Sequence, residues 1–132
     1  MKSLVIAFFT IFTLISCRNE DDLDSKTLAG DWEWISSSGG INGQTETPTS
    51  TGNSITYSFT EEGKYTITTN GTATDEGTFN LYKGVSDLSH YEVTFLHFSN
   101  KSNDVIINKN EDGELILSDD FNEGYTSIYH KK

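Results

Sequence analysis

The chain has 132 residues, of which 34% are hydrophobic, and a formal net charge of −11. A chain of this length forms one domain around a single core. The acidic excess repels phosphate backbones and anionic membrane surfaces, so it argues against nucleic-acid binding and restricts membrane attachment to a covalent or hydrophobic anchor.

The first sixteen residues are organised like a secretion signal. Lys2 makes the start basic, and residues 4–15 are apolar except for Thr10 and Thr13. This run is too short to span a hydrocarbon core, which takes about 20 residues. An apolar region that ends in small residues is typical of a cleaved signal peptide, here predicted over residues 1–16.

The signal ends in Leu14-Ile15-Ser16-Cys17, which resembles the lipobox of bacterial lipoproteins. In that family the cysteine thiol receives a diacylglycerol, cleavage occurs before the cysteine, and its new amine is acylated, for example with palmitate. The resemblance implies lipidation of Cys17 and a stable anchor, since each buried methylene contributes about 0.8 kcal/mol. An ordinary signal peptide with an incidental cysteine is the alternative. Cys17 is the only cysteine, so the mature domain has no internal disulfide.

Residues 17–27 are predicted to be a lipidated cysteine followed by an acidic tether, because residues 18–26 contain one apolar side chain in nine. Arg18 follows the cysteine where the common inner-membrane retention signal has Asp, which favours the outer membrane. The order of one basic and then several acidic residues also resembles the surface-export signal of some Gram-negative lipoproteins. A plain charged linker explains it equally well, so both the periplasmic face and the cell surface stay open.

From residue 28 onward, apolar and polar side chains alternate with the period of a β-strand, and aromatic and β-branched residues dominate. No window has the apolar stripe of a helix, so helix is expected only as a turn near residues 27–29. The alternation predicts eight strands, near residues 31–37, 54–60, 64–69, 75–82, 89–98, 104–109, 114–118 and 124–130.

The links between these strands are short and carry glycines suited to tight turns, such as Gly63 and Gly113. Short links in sequence order favour a meander, and closing it into a barrel removes the edge strands. Residues 38–54 are the exception, a Gly-, Ser- and Thr-rich loop whose length is typical of a functional or mobile segment. We therefore predict an all-β, antiparallel up-and-down β-barrel of about eight strands over residues 28–130.

Gly30-x-Trp32 after a short turn resembles the opening motif of lipocalins, in which the Trp closes the narrow end of an eight-stranded barrel. The stretches 57–65 and 77–81 resemble the small lipocalin-like domains of secreted bacterial lipoproteins. The resemblance covers residues 28–130 and implies a lipocalin-like fold, although a fold does not fix a function. In lipocalins, an Arg near the last strand packs against this Trp. At the corresponding place this chain has only His130, Lys131 and Lys132 as candidates for that role.

The sequence contains no catalytic, phosphate-binding or metal-binding motif, so we predict no enzyme activity, no cofactor and no metal. Within one strand over 89–98, His90 and His97 would point to opposite faces and could not share a metal ion. Residues 119–123 form an oxygen-rich turn without the spacing of a calcium loop, which favours a solvated loop.

Most aromatic side chains fall on one alternation face, which the barrel would direct inward. Apolar walls with a few tyrosine hydroxyls are typical of a small-ligand pocket, and the alternative is that the rings pack on one another as a core. The even-numbered phase of strand 89–98, with Leu96 and Phe98, is predicted to form a second apolar surface. The predicted lining, with residues 38–54 guarding its mouth, comprises Trp32, Trp34, Tyr57, Phe59, Tyr65, Phe79, Tyr91 and Phe95.

Two functions from different classes are compatible with this sequence. The first is a lipid-anchored binding protein of the outer membrane that takes a small apolar or amphipathic ligand into its barrel. The second is an interaction or inhibitor module with a filled core, whose loops and acidic surface bind a basic protein partner. Phe95→Ala is expected to remove ligand binding in the first case and only to cost stability, about 3–5 kcal/mol, in the second.

Overall fold

The computed structural model describes residues 23–132, and this part of the chain consists mainly of antiparallel β-strands. The predicted signal peptide and Cys17 lie outside the described residues. Two short helices are present, α1 (Ser25–Leu28) and α2 (Pro48–Thr51). The strands are β1 (Gly30–Gly39), β2 (Gln44–Glu46), β3 (Ile55–Phe59), β4 (Lys64–Thr69), β5 (Thr72–Val85), β6 (Glu92–Phe98), β7 (Val105–Lys109), β8 (Leu115–Asp119) and β9 (Tyr125–Lys131).

Eight of these strands, β1 and β3–β9, form a closed barrel in which neighbours in sequence pair in space. The ring is closed by β9, which pairs with β1 so that Tyr129 lies opposite Trp34 and Tyr125 opposite Gly39. The short β2 pairs only with the last part of β1 and lies outside the ring. The predicted all-β, antiparallel up-and-down barrel of eight strands is confirmed.

An irregularity in β1 between Trp34 and Ser36 determines which of its residues face the interior. One extra residue in a strand shifts the alternation of side chains by one position. The inner face therefore runs from Trp32 and Trp34 to Ser37, which lies opposite Ser127 of β9. This shift brings two small polar side chains into the barrel next to a buried indole.

Helix α1 packs against one end of the barrel and extends the domain toward the N-terminus. The Asp24 side chain accepts a hydrogen bond from the Thr27 backbone N–H at 2.8 Å, and Thr27 Oγ1 accepts one from the Asp24 N–H, which is a capping box. Leu28 is fully buried, and Leu23 packs against the same core. Residues 23–27, which the sequence predicted to be part of a tether, thus belong to the packed domain.

Trp32 closes the barrel at this end. Its side chain is fully buried, and its indole N–H donates a hydrogen bond to the Leu28 carbonyl at 2.8 Å. The Nζ atoms of Lys131 and Lys109 lie 5.5 Å and 5.9 Å from the centroid of the indole ring. Both distances suit cation–π attraction. Of His130, Lys131 and Lys132 at the end of the chain, it is therefore Lys131 whose ammonium group lies over this Trp.

The segment predicted as a long loop, residues 38–54, contains secondary structure that its polar composition conceals. β1 continues to Gly39, a turn leads into β2, and α2 follows. Helix α2 begins after Thr47, whose hydroxyl accepts the Ser50 backbone N–H at 3.1 Å, and it ends at Gly52 with φ of 72°. A Thr cap, Pro48 in the first turn and a left-handed Gly are the ordinary signals of a short helix.

The β5–β6 hairpin is only loosely joined to the strand that follows it. β6 pairs with β7 only through Phe95–Ile106 and Leu96–Val105, a contact that we call the β6–β7 seam. The tip of the hairpin is instead held by Asp120 of the β8–β9 loop. The Asp120 carboxylate accepts hydrogen bonds from the Ser86 hydroxyl at 2.6 Å and from the Asp87 backbone N–H at 2.9 Å.

Candidate functional site

The half of the barrel next to Trp32 is filled with side chains. Five of the eight residues predicted to line a cavity are buried there as packed core: Trp32, Trp34, Phe59, Tyr65 and Phe79. The Phe59 and Phe79 rings meet edge to face with centroids 5.0 Å apart, which is a favourable aromatic arrangement. In this half the aromatic rings pack on one another as a core, which was the alternative interpretation of the sequence.

The prediction that the odd-numbered residues of the strand near 89–98 face the barrel interior is wrong. Phe98 lies opposite Phe79 and Leu96 opposite Leu81, and both β6 residues are buried in the core. Phe95 therefore faces outward, where it stacks on Tyr82 with ring centroids 5.3 Å apart. Tyr91 precedes the strand and is 76% exposed. Tyr91 and Phe95 therefore do not line the barrel interior, although Phe95 is only 8% exposed, and the surface predicted for Leu96 and Phe98 is instead part of the core.

The other half of the barrel contains a pocket of about 440 Å³ that opens to solvent. This volume falls in the range of small-molecule sites, about 300–1,000 Å³. Tyr57 is the one predicted lining residue found in it. The walls comprise Tyr57, Phe98, Val105, Leu117, Tyr125, Ser127 and Tyr129, and the rim comprises Asn100, Lys101, Ser102, Asn103 and Asp119.

The rim is formed mainly by the β6–β7 loop together with Asp119, and none of residues 38–54, the predicted guard of the mouth, lines the pocket directly. Asp75 of β5 holds this loop: its carboxylate accepts a hydrogen bond from Asn100 Nδ2 at 3.4 Å and lies 4.0 Å from Lys101 Nζ. The same carboxylate accepts the Tyr65 hydroxyl at 2.9 Å. Burial, together with this bond and the charge of Asp75, raises the pKa of Tyr65 to about 12.

A chain of hydrogen bonds leads from the filled half into the pocket wall. Trp34 Nε1 donates to Ser37 Oγ at 2.8 Å, and Ser37 Oγ lies 2.6 Å from Ser127 Oγ. Ser127 lines the pocket directly, so the polar chain ends at the ligand-accessible surface. The shift of alternation in β1 is what places Ser37 in line with Trp34 and Ser127.

Two tyrosines stand beside Ser127 in the same wall. The rings of Tyr57 and Tyr129 have centroids 4.7 Å apart. Burial raises the pKa of Tyr129 well above its ordinary value of 10, and the neighbouring Tyr57 raises it further, whereas a hydrogen bond from Ser127 acts in the opposite direction. Tyr129 is therefore a neutral phenol at physiological pH.

A polar cluster on the outer surface joins three residues. The Asp104 carboxylate accepts the Tyr82 hydroxyl and lies 2.7 Å from His97 Nδ1. The bond from Tyr82 is the largest cause of a lowered pKa of Asp104, with a further contribution from His97. In the described part of the chain, no three His, Cys, Asp or Glu side chains come close enough to hold a metal ion.

Sequence reasoning missed most of the pocket residues, although the signal was present. Val105, Leu117 and Ser127 occupy the inner phase of strands whose existence the alternation predicts. Assigning alternate residues of all eight predicted strands to the barrel interior would have identified them. Which half of the barrel stays open depends on how the rings from opposite walls meet, and that is a tertiary property.

Comparisons with family models, curated proteins and solved structures find no match to this chain. Across residues 23–132, neither helix has the length or apolar character needed to cross a bilayer.

Proposed function

We propose that this protein is a lipid-anchored binding protein of the bacterial outer membrane that takes a small, partly apolar ligand into the open half of its barrel. The observation that carries this proposal is the pocket of about 440 Å³, whose walls combine aromatic and aliphatic side chains with the hydroxyl groups of Ser127 and Tyr129 under a polar rim. A concave site of this volume in which polar groups converge beside apolar side chains suits a small amphipathic ligand. The two charged groups at the rim already have partners, Lys101 with the Asp75 carboxylate and Asp119 with the Tyr125 backbone N–H, and the proposal is binding without turnover.

The membrane anchor in this proposal is Cys17, supported by its position after an apolar segment of signal-peptide length. Leu23, six residues after the cysteine in the sequence, packs against the barrel core. Substitution Cys17→Ser should release the protein from the membrane fraction, and metabolic labelling with a palmitate analogue should be lost with it.

The direct test of ligand binding is native mass spectrometry of the full chain extracted from an expressing Gram-negative host. A reproducible additional mass that is lost on denaturation supports the proposal and identifies the ligand class. A bare mass, together with no uptake from a lipid extract of the host envelope, contradicts it. Leu117→Trp, which fills the pocket from β8, is the matched variant and should abolish the additional mass.

A second candidate function, binding of a basic protein partner, is favoured by a separate surface. Val85, Leu88, Tyr91 and Phe121 are exposed large apolar residues at the β5–β6 tip and the adjoining β8–β9 loop. Asp87 and Asp120 lie among them, lining with Val85 and Phe121 the same outer groove. Clustered apolar side chains beside carboxylates suit a basic, partly apolar partner segment. Leu88→Glu should weaken such a complex without affecting ligand uptake in the pocket.

A further inference from the structure

We propose that the pocket selects neutral ligands whose apolar body carries a hydrogen-bond-accepting carbonyl group, which contacts the wall formed by Ser127, Tyr129 and Tyr57. This inference rests on the proposed function and specifies the ligand class for the same site. It follows from the directions in which the hydroxyl groups of the wall can donate, and from the charges at the rim.

The direction in which the hydrogen bonds are donated is set by Trp34. An indole N–H can only donate, so Ser37 Oγ is the acceptor in the 2.8 Å contact between them. Among the described contacts of Ser37 Oγ, the other oxygen within reach is Ser127 Oγ at 2.6 Å. The single proton of Ser37 is satisfied only if it points to Ser127. Ser127 then accepts this bond, and its own proton is the one that it donates to Tyr129.

Hydrogen-bond donation continues in the same direction through the two tyrosines of the wall. Tyr129 accepts the hydrogen bond from Ser127 and is also hydrogen-bonded to Tyr57, so the Tyr129 proton points to the Tyr57 hydroxyl. Burial raises the pKa of the Tyr129 phenol well above 10. The group therefore keeps its proton at physiological pH and can donate a hydrogen bond. The chain of hydrogen bonds that starts at Trp34 therefore ends at the Tyr57 hydroxyl, each link orienting the next proton, and a ligand in the pocket completes the chain by supplying an acceptor to that last proton.

The rim disfavours a charged acceptor. Lys101 is the one cation among the rim residues, and its Nζ lies 4.0 Å from the Asp75 carboxylate, which already offsets its charge. Asp119 adds a second carboxylate, whose Oδ2 accepts the Tyr125 backbone N–H at 2.9 Å. A carboxylate ligand would pass these groups and the acidic exterior at an electrostatic cost. A ketone, amide, ester or quinone carbonyl accepts the same hydrogen bonds without that cost.

Three naphthalene probes of nearly equal shape test this inference: 2-acetylnaphthalene, 2-ethylnaphthalene and 2-naphthoate. Binding is measured by quenching of the protein's intrinsic fluorescence with the full chain in lipid nanodiscs, and empty nanodiscs correct for partitioning of the probes. We expect the ketone to bind about 5- to 10-fold more tightly than the hydrocarbon, as one net hydrogen bond implies. The naphthoate is expected to bind more weakly than the ketone.

Variants assign the preference to the wall. Ser127→Ala and Tyr129→Phe should each reduce the ratio of ketone to hydrocarbon affinity toward 1 while changing the hydrocarbon affinity little. Ser118→Ala is the matched control, because its hydroxyl lies on β8 next to Thr126 and does not line the pocket. If Tyr129→Phe does not fold, Ser127→Ala alone decides, since it removes one atom from a site that is open to solvent.

The outcomes separate this inference from the proposed function. Equal affinities of the ketone and the hydrocarbon, or a preference that survives Ser127→Ala, overturn the carbonyl assignment and leave the binding function standing. Tightest binding of the naphthoate overturns the requirement for a neutral ligand. Failure of all three probes to bind, with a bare native mass, overturns the binding function and this inference together.

Discussion

The indole N–H of Trp32 donates a hydrogen bond to the backbone carbonyl of Leu28, four residues earlier, and both side chains are completely buried. This bond joins the end of α1 to the first barrel strand. It satisfies a carbonyl at a helix end that has no intrahelical partner, and it fixes the ring that closes the barrel. Helix and barrel are thereby one packing unit.

Replacing Trp32 with Phe removes this donor while keeping an aromatic ring. We expect the free energy of unfolding to fall by about 1–3 kcal/mol for the unsatisfied carbonyl, and further for the smaller ring. Urea denaturation of the two proteins measures the difference. Tyr91→Ala is the control, because that side chain is 76% exposed and its loss should change stability by no more than about 0.5 kcal/mol. Similar losses in both variants would contradict the assigned role.

The opposite orientations of Phe98 and Phe95 predict opposite consequences of truncation. Phe98 contacts Tyr57 and Tyr65 inside the barrel, so Phe98→Ala should cost about 3–5 kcal/mol and enlarge the pocket. Phe95→Ala removes a ring that stacks on Tyr82 outside, so it should cost less and leave ligand uptake unchanged. Denaturation curves and native mass spectra of both variants check this. Loss of ligand in Phe95→Ala would show that the ring faces inward.

Acid should weaken the attachment of the β5–β6 tip. Hydrogen bonds from Ser86 and from the backbone of Asp87 and Leu88 lower the pKa of Asp120 below its ordinary value near 4. A lowered folded-state pKa contributes stability that is fully present above that ordinary value and is lost as the pH falls through the folded-state pKa. Asp120→Asn should remove this part of the acid dependence.

Urea denaturation between pH 2 and about pH 6, a range that covers carboxylate titration, measures this effect for Asp120→Asn. Amide hydrogen exchange at Asp87 and Leu88 reports the tip locally. Asp112→Asn, in the β7–β8 turn, removes one carboxylate elsewhere and should keep the acid dependence of the parent protein. An identical pH profile for Asp120→Asn and the parent would argue against the Asp120 contact.

The polar cluster of Tyr82, His97 and Asp104 on the outer surface is tested by alkaline titration. The hydrogen bond to Asp104, followed by burial and the charge of Asp104, raises the pKa of Tyr82 to about 12. Because the pKa is raised on folding, its stabilising contribution is present below pH 10 and is lost as the pH rises toward 12. Asp104→Asn should move the Tyr82 transition back toward 10 in an ultraviolet absorbance titration, with Tyr82→Phe to assign it. Asp75→Asn should instead affect Tyr65 and leave Tyr82 unchanged.

The alternation of side chains was sufficient to predict the architecture, because strand period and turn residues are local properties. β4, for example, spans the residues that the pattern indicated, and its closing Asn70-Gly71 turn has both residues at positive φ. The β2 strand and α2 were missed because their polar Thr and Ser residues give no periodic apolar signal. Their formation depends on pairing with β1 and on the cap at Thr47.

The orientation of β6 was not predictable from its own sequence, because both of its alternation phases carry apolar side chains. Val93 and Phe95 are as apolar as Leu96 and Phe98, and the choice is made by the register with β5, which sets Phe98 opposite Phe79. Tyr82 then supplies the partner that covers Phe95 from outside. The location of the pocket followed from the same non-local pairing.

The β6–β7 seam has a consequence for how molecules enter and leave the barrel. A ring of strands separates most easily at its shortest hydrogen-bonded ladder, and here that ladder consists of Phe95–Ile106 and Leu96–Val105 alone. Val105, on one side of it, is also a wall residue of the pocket. Transient separation at this place would widen the pocket sideways while the other seven ladders stay intact. The rate of ligand exchange would then be set by breathing of the seam, and an engineered disulfide across it would slow entry and exit without altering the equilibrium contacts of the bound ligand.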